Sequence, residues 1–197
     1  MEEERPLSIP VESSTLECEP VYLGPALGEV NFTQMRDGVF NDACRVEIDS
    51  EDDCTGLRIH PGGHVFIRFL GKFGRHLASK YVLELGCGTG LGSLAILHGC
   101  KPSCLVSTDG NRDVLELVET NVLRFEKDRD EDKVTLLPKT LHVYPLKWST
   151  SSDAMDDLRA VVGLQAGSTF DLIVGSELFY YMTDLGLALT LSANPNS

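Results

Sequence analysis

The sequence predicts a doubly wound α/β domain with a mostly parallel sheet. Three observations lead to this fold class. Short apolar runs end at glycine or aspartate, amphipathic stretches separate these runs, and the composition is 42% hydrophobic and 24% charged, as in an ordinary globular domain. Strands that alternate with helices form parallel sheets, because each return crossing lays a helix over one face of the sheet.

The alternation starts at about residue 56, where apolar residues recur at helical spacing over residues 64–77. Short apolar runs then predict four strands, at residues 81–85, 104–109, within 134–144, and at 170–174. Helical spacing between and after them predicts helices at residues 91–98, 111–126 and 155–162, and in the stretch after residue 184. Gly99 is the expected stop of the helix that begins at residue 91.

Residues 1–55 differ from the rest, and we interpret them as an acidic N-terminal extension that is ordered in part. Acidic clusters at residues 2–4 and 49–53 and several prolines interrupt this stretch. Its short alternations of apolar and polar residues predict a hairpin, with candidate strands at residues 21–23, 39–40 and 44–48. Residues 56–197 are then the main domain.

The net charge of −13 limits the classes of partner. The chain has 30 acidic against 17 basic residues, so it repels phosphate backbones, and we expect no nucleic-acid partner. A basic protein surface would be attracted instead.

No apolar run reaches the roughly 18 residues of a membrane span, and the acidic N-terminus is unlike a secretory signal. We therefore expect a cytoplasmic monomer, present also in the nucleus, with no membrane contact.

The six cysteines form no C-x-x-C pair, and the five histidines complete no zinc pattern with them. A chain of this length buries a core without covalent crosslinks, so free thiols are favoured over a disulfide framework. We expect no metal site. The cysteines are Cys18, Cys44, Cys54, Cys87, Cys100 and Cys104.

The most informative stretch is the loop Gly86-Cys87-Gly88-Thr89-Gly90, which joins a buried strand to a helix. Glycine allows sharp turns and exposes peptide N–H groups to a ligand at the helix N-terminus. In open α/β sheets ligands bind at the carboxyl ends of the strands, where this loop lies. The alternative interpretation is a tight turn without a ligand.

Two carboxylates narrow the choice of ligand. The dinucleotide fingerprint needs glycine or alanine where this chain has Leu91, and no Gly-Lys-Ser/Thr follows for a P-loop. Glu84 would repel a pyrophosphate but can pair with a cationic amino-acid group. Asp109, which ends the second strand of the domain, can accept hydrogen bonds from two vicinal ribose hydroxyls. The alternative role of Asp109 is to cap the helix that follows.

Residues 84–90, together with Asp109, resemble the S-adenosyl-L-methionine (SAM) site of class I, seven-stranded methyltransferases. The resemblance spans about residues 55–182. Three further motifs are similar to those of the family 16 protein lysine methyltransferases: Thr55-Gly56, Leu146-Lys147-Trp148, and Glu177-Leu178-Phe179-Tyr180. The last of these matches the [D/E]-x-x-Y motif of that branch, after its fourth strand.

The resemblance implies a Rossmann-like methyltransferase fold and a SAM-dependent N-methyltransferase that modifies a protein side chain, with lysine first and histidine second. The rivals are a small-molecule methyltransferase and a non-catalytic protein that binds SAM or a partner. The implied cofactor-binding residues are Glu84, Gly86, Gly88, Gly90, Asp109 and Trp148. The implied catalytic residues are Glu177, which would hold or accept a proton of the target amine, and Tyr180, which would line its pocket.

Plainer roles stay open for three of these residues. Trp148 could be a core residue at the sheet edge, Glu177 could cap the next helix, and Tyr180 could simply pack. The chain also departs from the family pattern in two places. His60 stands where relatives carry an aromatic residue, often tryptophan, and it could touch the methionine end of SAM or the substrate. Only 17 residues follow Tyr180, so we expect a truncated domain that lacks its last strands.

Overall fold

The computed structural model describes residues 15–24, 27–36, 55–129, 140–148, 153–165 and 168–178. Its strands are β1 Leu16–Tyr22, β2 Glu29–Met35, β3 Tyr81–Leu85, β4 Cys104–Asp109, β5 Leu141–Pro145 and β6 Leu172–Gly175. Its α-helices are α1 Pro61–Phe73, α2 Leu91–Leu94, α3 Arg112–Arg129 and α4 Asp153–Val161. A π-helical segment, Ala95–Cys100, continues α2, and 3₁₀ turns form at Thr55–Leu57 and Gly74–Leu77.

The sheet of the main domain is parallel, with the strand order β5-β4-β3-β6 among the described residues. Strands β4 and β5 follow one another on one side of β3. Strand β6, which comes next in the chain, pairs with β3 on its other side. The order therefore reverses between β3 and β6. This reversal is the topological switch point at which open α/β sheets bind their ligands.

Helices cover both faces of this sheet. Alternate residues of β3 point in opposite directions, as the period of a strand requires. Val82 packs into a core with α1, α2 and α3, whereas Leu83 packs into a second core with Leu158 of α4. The predicted doubly wound α/β fold is thus confirmed, and its four predicted strands are present with boundaries shifted by a few residues.

Helix α1 begins three residues earlier than predicted, because Pro61 is suited to the first turn of a helix. The apolar spacing of this segment contains two parallel stripes, and packing buries only one of them. Ile67 and Leu70 are buried, whereas Val65, Phe69 and Phe73 are exposed. The helical spacing of apolar residues in the sequence does not by itself distinguish the buried stripe from the exposed one. The rings of Phe69 and Phe73 instead contact each other at a centroid distance of 4.9 Å.

The N-terminal hairpin exists, but its second strand differs from the one predicted. Strand β1 pairs with β2 in an antiparallel register from Leu16 opposite Met35 to Tyr22 opposite Glu29. Two glycines with positive φ, Gly24 at 96° and Gly28 at 72°, form the connection. Residues 37–54, which include the predicted strands at 39–40 and 44–48, lie outside the described residues. The proposed division at residue 56 stays a prediction.

Strand β2 escaped the sequence prediction because buried polar residues hide its pattern. Thr33 and Gln34 are each only 4% exposed, and both make hydrogen bonds outside the hairpin. The expectation of free thiols is confirmed for Cys18, Cys87, Cys100 and Cys104, while the other two cysteines lie outside the described ranges.

No helix in the described part of the chain is long and apolar enough to cross a membrane.

Candidate active site

A cavity of about 890 Å³ opens at the carboxyl ends of β3, β4 and β6, where the strand order reverses. Its volume lies in the range of small-molecule sites. Six of the eight residues implied as cofactor-binding or catalytic line it together: Glu84, Gly86, Gly88, Asp109, Trp148 and Glu177. The fold thus brings to one place residues that are up to 93 positions apart in the chain.

The glycine loop takes a backbone shape that side chains would prevent. Gly86, Gly88 and Gly90 have φ values of 58°, 52° and 84°. A Cβ at Gly86 would lie 2.6 Å from the Cδ2 atom of Leu178. Gly90 does not line the cavity, and a Cβ there would lie 3.0 Å from a methyl carbon of Val118. Gly86 and Gly88 therefore shape the cavity, whereas Gly90 allows the loop to pack against α3.

Glu84 is a buried carboxylate with two hydroxyl partners. Its Oε2 atom accepts hydrogen bonds from Ser93 at 2.6 Å and from Ser107 at 2.9 Å. Burial raises the pKa of Glu84 to about 7; the two hydroxyls oppose this shift, and the nearby Asp109 adds to it. A Cβ at Gly92 would lie 2.3 Å from the Oε1 atom of Glu84, so glycine there leaves room for that oxygen. A cation in the cavity would favour the ionised form of this carboxylate.

Asp109 lies at the end of β4 and organises the loop opposite. Its Oδ2 atom accepts a hydrogen bond from the N–H of Gly88 at 3.2 Å, and its Oδ1 atom accepts one from the N–H of Asn111 at 3.1 Å. Asn111, not Asp109, caps α3, because its Oδ1 atom accepts the N–H of Asp113 at 2.8 Å. The helix-cap alternative for Asp109 is therefore wrong. A carboxylate has about four acceptor positions, so Asp109 retains capacity for a ligand.

Trp148 follows β5, and its position agrees with both a core residue and a residue of the cofactor site. Its half-buried side chain packs against the second core, and it also lines the cavity near Asp109. The segment is tied to β4 by a hydrogen bond from the N–H of Leu146 to the carbonyl oxygen of Asp109, at 2.8 Å. Trp148 and Asp109 therefore lie at the same end of the cavity.

Glu177 lies just after β6, in a left-handed backbone conformation with φ of 54°. Such a value is uncommon for a residue other than glycine. Its Oε1 atom accepts a hydrogen bond from the N–H of Gly62, in the first turn of α1, at 2.8 Å. Glu177 therefore caps the first turn of α1. The helix that Glu177 was alternatively expected to cap lies outside the described residues, so that alternative stays open. Tyr180 lies outside the described residues, so its predicted role stays a prediction.

The segment before α1 closes the cavity from the side. The backbone of Gly56 approaches the glycine loop, where a Cβ at Gly88 would lie 3.3 Å from the carbonyl oxygen of Gly56. A Cβ at Gly56 would in turn lie 3.0 Å from a methyl carbon of Val114 and 3.3 Å from the Cα atom of Gly88, which explains the glycine of the Thr55-Gly56 pair. The Nε2 atom of His60 lies 2.8 Å from the carbonyl oxygen of Thr55, and His60 lines the cavity.

Sequence reasoning missed several residues of the site. Arg58, Ile59 and Phe66 line the cavity, and no local pattern marks them. The sequence does mark Ser107, because it is a polar residue inside a strand that is predicted to be buried. In the sheet it stands directly opposite Glu84. A buried carboxylate needs a donor on a neighbouring strand, which this register supplies.

The geometry defines a class of site: a cavity at the switch point of a doubly wound sheet, with the carboxylates Glu84 and Asp109 at the carboxyl ends of neighbouring parallel strands. The described residues hold no group of three histidine, cysteine or acidic side chains that could bind a metal ion. A profile of the lysine methyltransferase family, family 16, matches residues 41–192. The match covers more than half of the chain, so the protein belongs to this family of class I methyltransferases. A search of curated proteins found no match.

Proposed function

We propose that this chain is a SAM-dependent N-methyltransferase that modifies a lysine side chain of another protein. One observation supports this proposal most strongly: Glu177 lines the same cavity as Glu84 and Asp109, and it follows β6, on the side of β3 away from β4. A carboxylate at that place can orient an amine toward a bound methyl donor. The family description, lysine methyltransferase, agrees with an amine as the acceptor.

The residues at or just after the carboxyl ends of β3, β4 and β5 fit SAM as the methyl donor. SAM supplies a methyl group on a positively charged sulfur. Glu84 would hold the cationic amino group, the N–H groups of the glycine loop would face the methionine part, and Asp109 would accept the ribose hydroxyls. Trp148 would lie beside the adenine. Asp109, which is already linked to Gly88 by a hydrogen bond, would couple ribose binding to the loop.

The acceptor amine must lose a proton before it can attack the methyl carbon. Glu177 would orient the ammonium and accept this proton. Phe66 and Leu178 also line the cavity, so an aliphatic stem entering there would be shielded from water. A lysine side chain combines such a stem with a terminal amine. Orientation and desolvation together supply most of what methyl transfer to an amine requires.

The test is to incubate the chain with tritiated SAM and cell lysate, and with the same lysate after chemical acetylation of its lysines. We expect label in untreated proteins and none in acetylated ones, with labelled methyl-lysine after acid hydrolysis. The Glu177→Gln variant should bind SAM and transfer little label. Label in the acetylated proteins, or in small molecules alone, would contradict the proposal.

The contact between Gly62 and Glu177 yields a prediction with a matched control. A Cβ at Gly62 would lie 2.3 Å from the Cγ atom of Glu177, so Gly62→Ala must displace the carboxylate. A misplacement of about 1 Å lowers catalysis roughly 100-fold. We expect kcat to fall by about that factor, with SAM affinity changed less than about twofold. Gly71→Ala in the same helix, where nothing lies within 4 Å of the added carbon, should leave kcat unchanged. Equal kcat for both variants would contradict the role given to Glu177.

A further inference from the structure

The hairpin β1–β2 is hydrogen-bonded to two segments that line the cavity, although neither strand lines it. One link passes through Asn121 of α3, which is 1% exposed. Its Oδ1 atom accepts the N–H of Thr33 at 2.7 Å, and its Nδ2 group donates to the carbonyl oxygens of Thr33 at 2.9 Å and Thr89 at 3.0 Å. Thr89 belongs to the glycine loop. A single buried amide thus joins the hairpin to that loop.

The second link reaches the segment before α1. The Oε1 atom of Gln34 accepts the N–H of Ile59 at 3.1 Å, and its Nε2 group donates to Glu19 at 2.9 Å. Arg58 donates to the carbonyl oxygen of Met35 at 2.6 Å and pairs with Glu17 at 2.7 Å. Ile59 and Arg58 both line the cavity. The neighbouring residues Thr33 and Gln34 of β2 are therefore linked to two different segments of the cavity lining, the first through Asn121 and the second directly.

We propose that the hairpin β1–β2 is a positioning element of the cofactor site, with Asn121 and Gln34 as its positioning residues. The proposal rests on the function proposed above. Buried polar groups that satisfy one another fix a unique arrangement, and a half-satisfied network loses it. A loop whose glycines allow many backbone conformations gains most from such support. The hairpin would thus hold the glycine loop in its binding shape before any cofactor arrives.

The test compares two variants of neighbouring residues in α3. Asn121→Asp keeps the acceptor for the N–H of Thr33 but turns an oxygen, in place of the donor, toward the carbonyls of Thr33 and Thr89. Val122→Ala trims a fully buried side chain that makes no hydrogen bond to the loop, so it serves as the control for general destabilisation. Gln34→Met removes the other link at similar volume and keeps the test available if Asn121→Asp does not fold.

The first readout is amide hydrogen exchange without cofactor, which is independent of the proposed function. We expect Asn121→Asp to speed exchange in residues 86–92 at least tenfold, and Gln34→Met to do so in residues 57–62. Val122→Ala should leave both segments at the wild-type rate. The second readout is SAM affinity, which should fall about tenfold in both link variants. Unchanged exchange in the folded link variants, or an equal rise in Val122→Ala, would overturn the proposal. Faster exchange in a protein that does not bind SAM would instead contradict the proposed function alone.

Discussion

Asp109→Ala is expected to lower the affinity for SAM by at least about 100-fold. A hydrogen bond to a charged acceptor contributes about 1.5–3 kcal/mol, and each 1.4 kcal/mol corresponds to about a tenfold change in affinity. Two ribose hydroxyls would lose their acceptor in this variant. The N–H of Gly88, which donates to Asp109 at 3.2 Å, would lose its partner as well. The glycine loop would then be less ordered, which adds to the loss.

Equilibrium dialysis with tritiated SAM measures this effect directly. Asp128→Ala is the matched control, because it removes the same charge from an exposed position near the end of α3, away from the cavity. Its affinity should equal that of the wild type. If Asp109→Ala bound SAM as tightly as Asp128→Ala, the assignment of the ribose subsite to Asp109 would be wrong.

The second large effect is the pH dependence that Glu84 gives to the free energy of unfolding. Its pKa in the folded chain is about 7, against 4.5 for an unperturbed glutamate, and burial is the main cause. The folded chain therefore holds a proton that the unfolded chain releases between pH 4.5 and 7. Through this window the free energy of unfolding falls as pH rises, by about 3 kcal/mol in total from this one group. Glu84→Gln should remove this component, as urea unfolding of both chains at several pH values would show.

Cofactor binding should depend on pH in the opposite direction. In the proposed site the cationic amino group of SAM would pair with the ionised form of Glu84, so binding would release the proton. Affinity should rise by up to tenfold per pH unit below about pH 7 and level off until the free α-amino group of the ligand loses its proton, at about pH 8. Calorimetric titrations from pH 5.5 to 8.5 give this curve, and the Glu84→Gln curve should lack its rise. A wild-type affinity that does not vary over this range would contradict the pairing.

The parts of the fold that the sequence predicted depend on patterns of short range. A buried strand that ends at a glycine-rich turn marks β3 and its loop within about ten residues, and β4 ends at a carboxylate in the same way. Such patterns follow from the periods of helices and strands. They also placed Glu84 and Asp109 at the ends of neighbouring parallel strands, which the register of β3 and β4 confirms.

What the sequence did not predict depends on contacts between distant segments. The hydrogen bond from Gly62 to Glu177 spans 115 positions, and the one from Asn121 to Thr33 spans 88. Neither residue pair has a local signal, because each polar group is satisfied only after the chain has folded. The choice between the two apolar stripes of α1 has the same origin. Periodicity identifies both stripes, and only tertiary packing selects Ile67 and Leu70.

The central claim is that the cavity at the switch point binds SAM, and calorimetric titration of the purified chain tests it most directly. The experiment uses SAM and, separately, S-adenosylhomocysteine, which lacks the transferable methyl group but keeps the groups assigned to Glu84 and Asp109. We expect saturable binding of both ligands at one site, with dissociation constants in the micromolar range. Folded protein that binds neither ligand at millimolar concentration would contradict the claim.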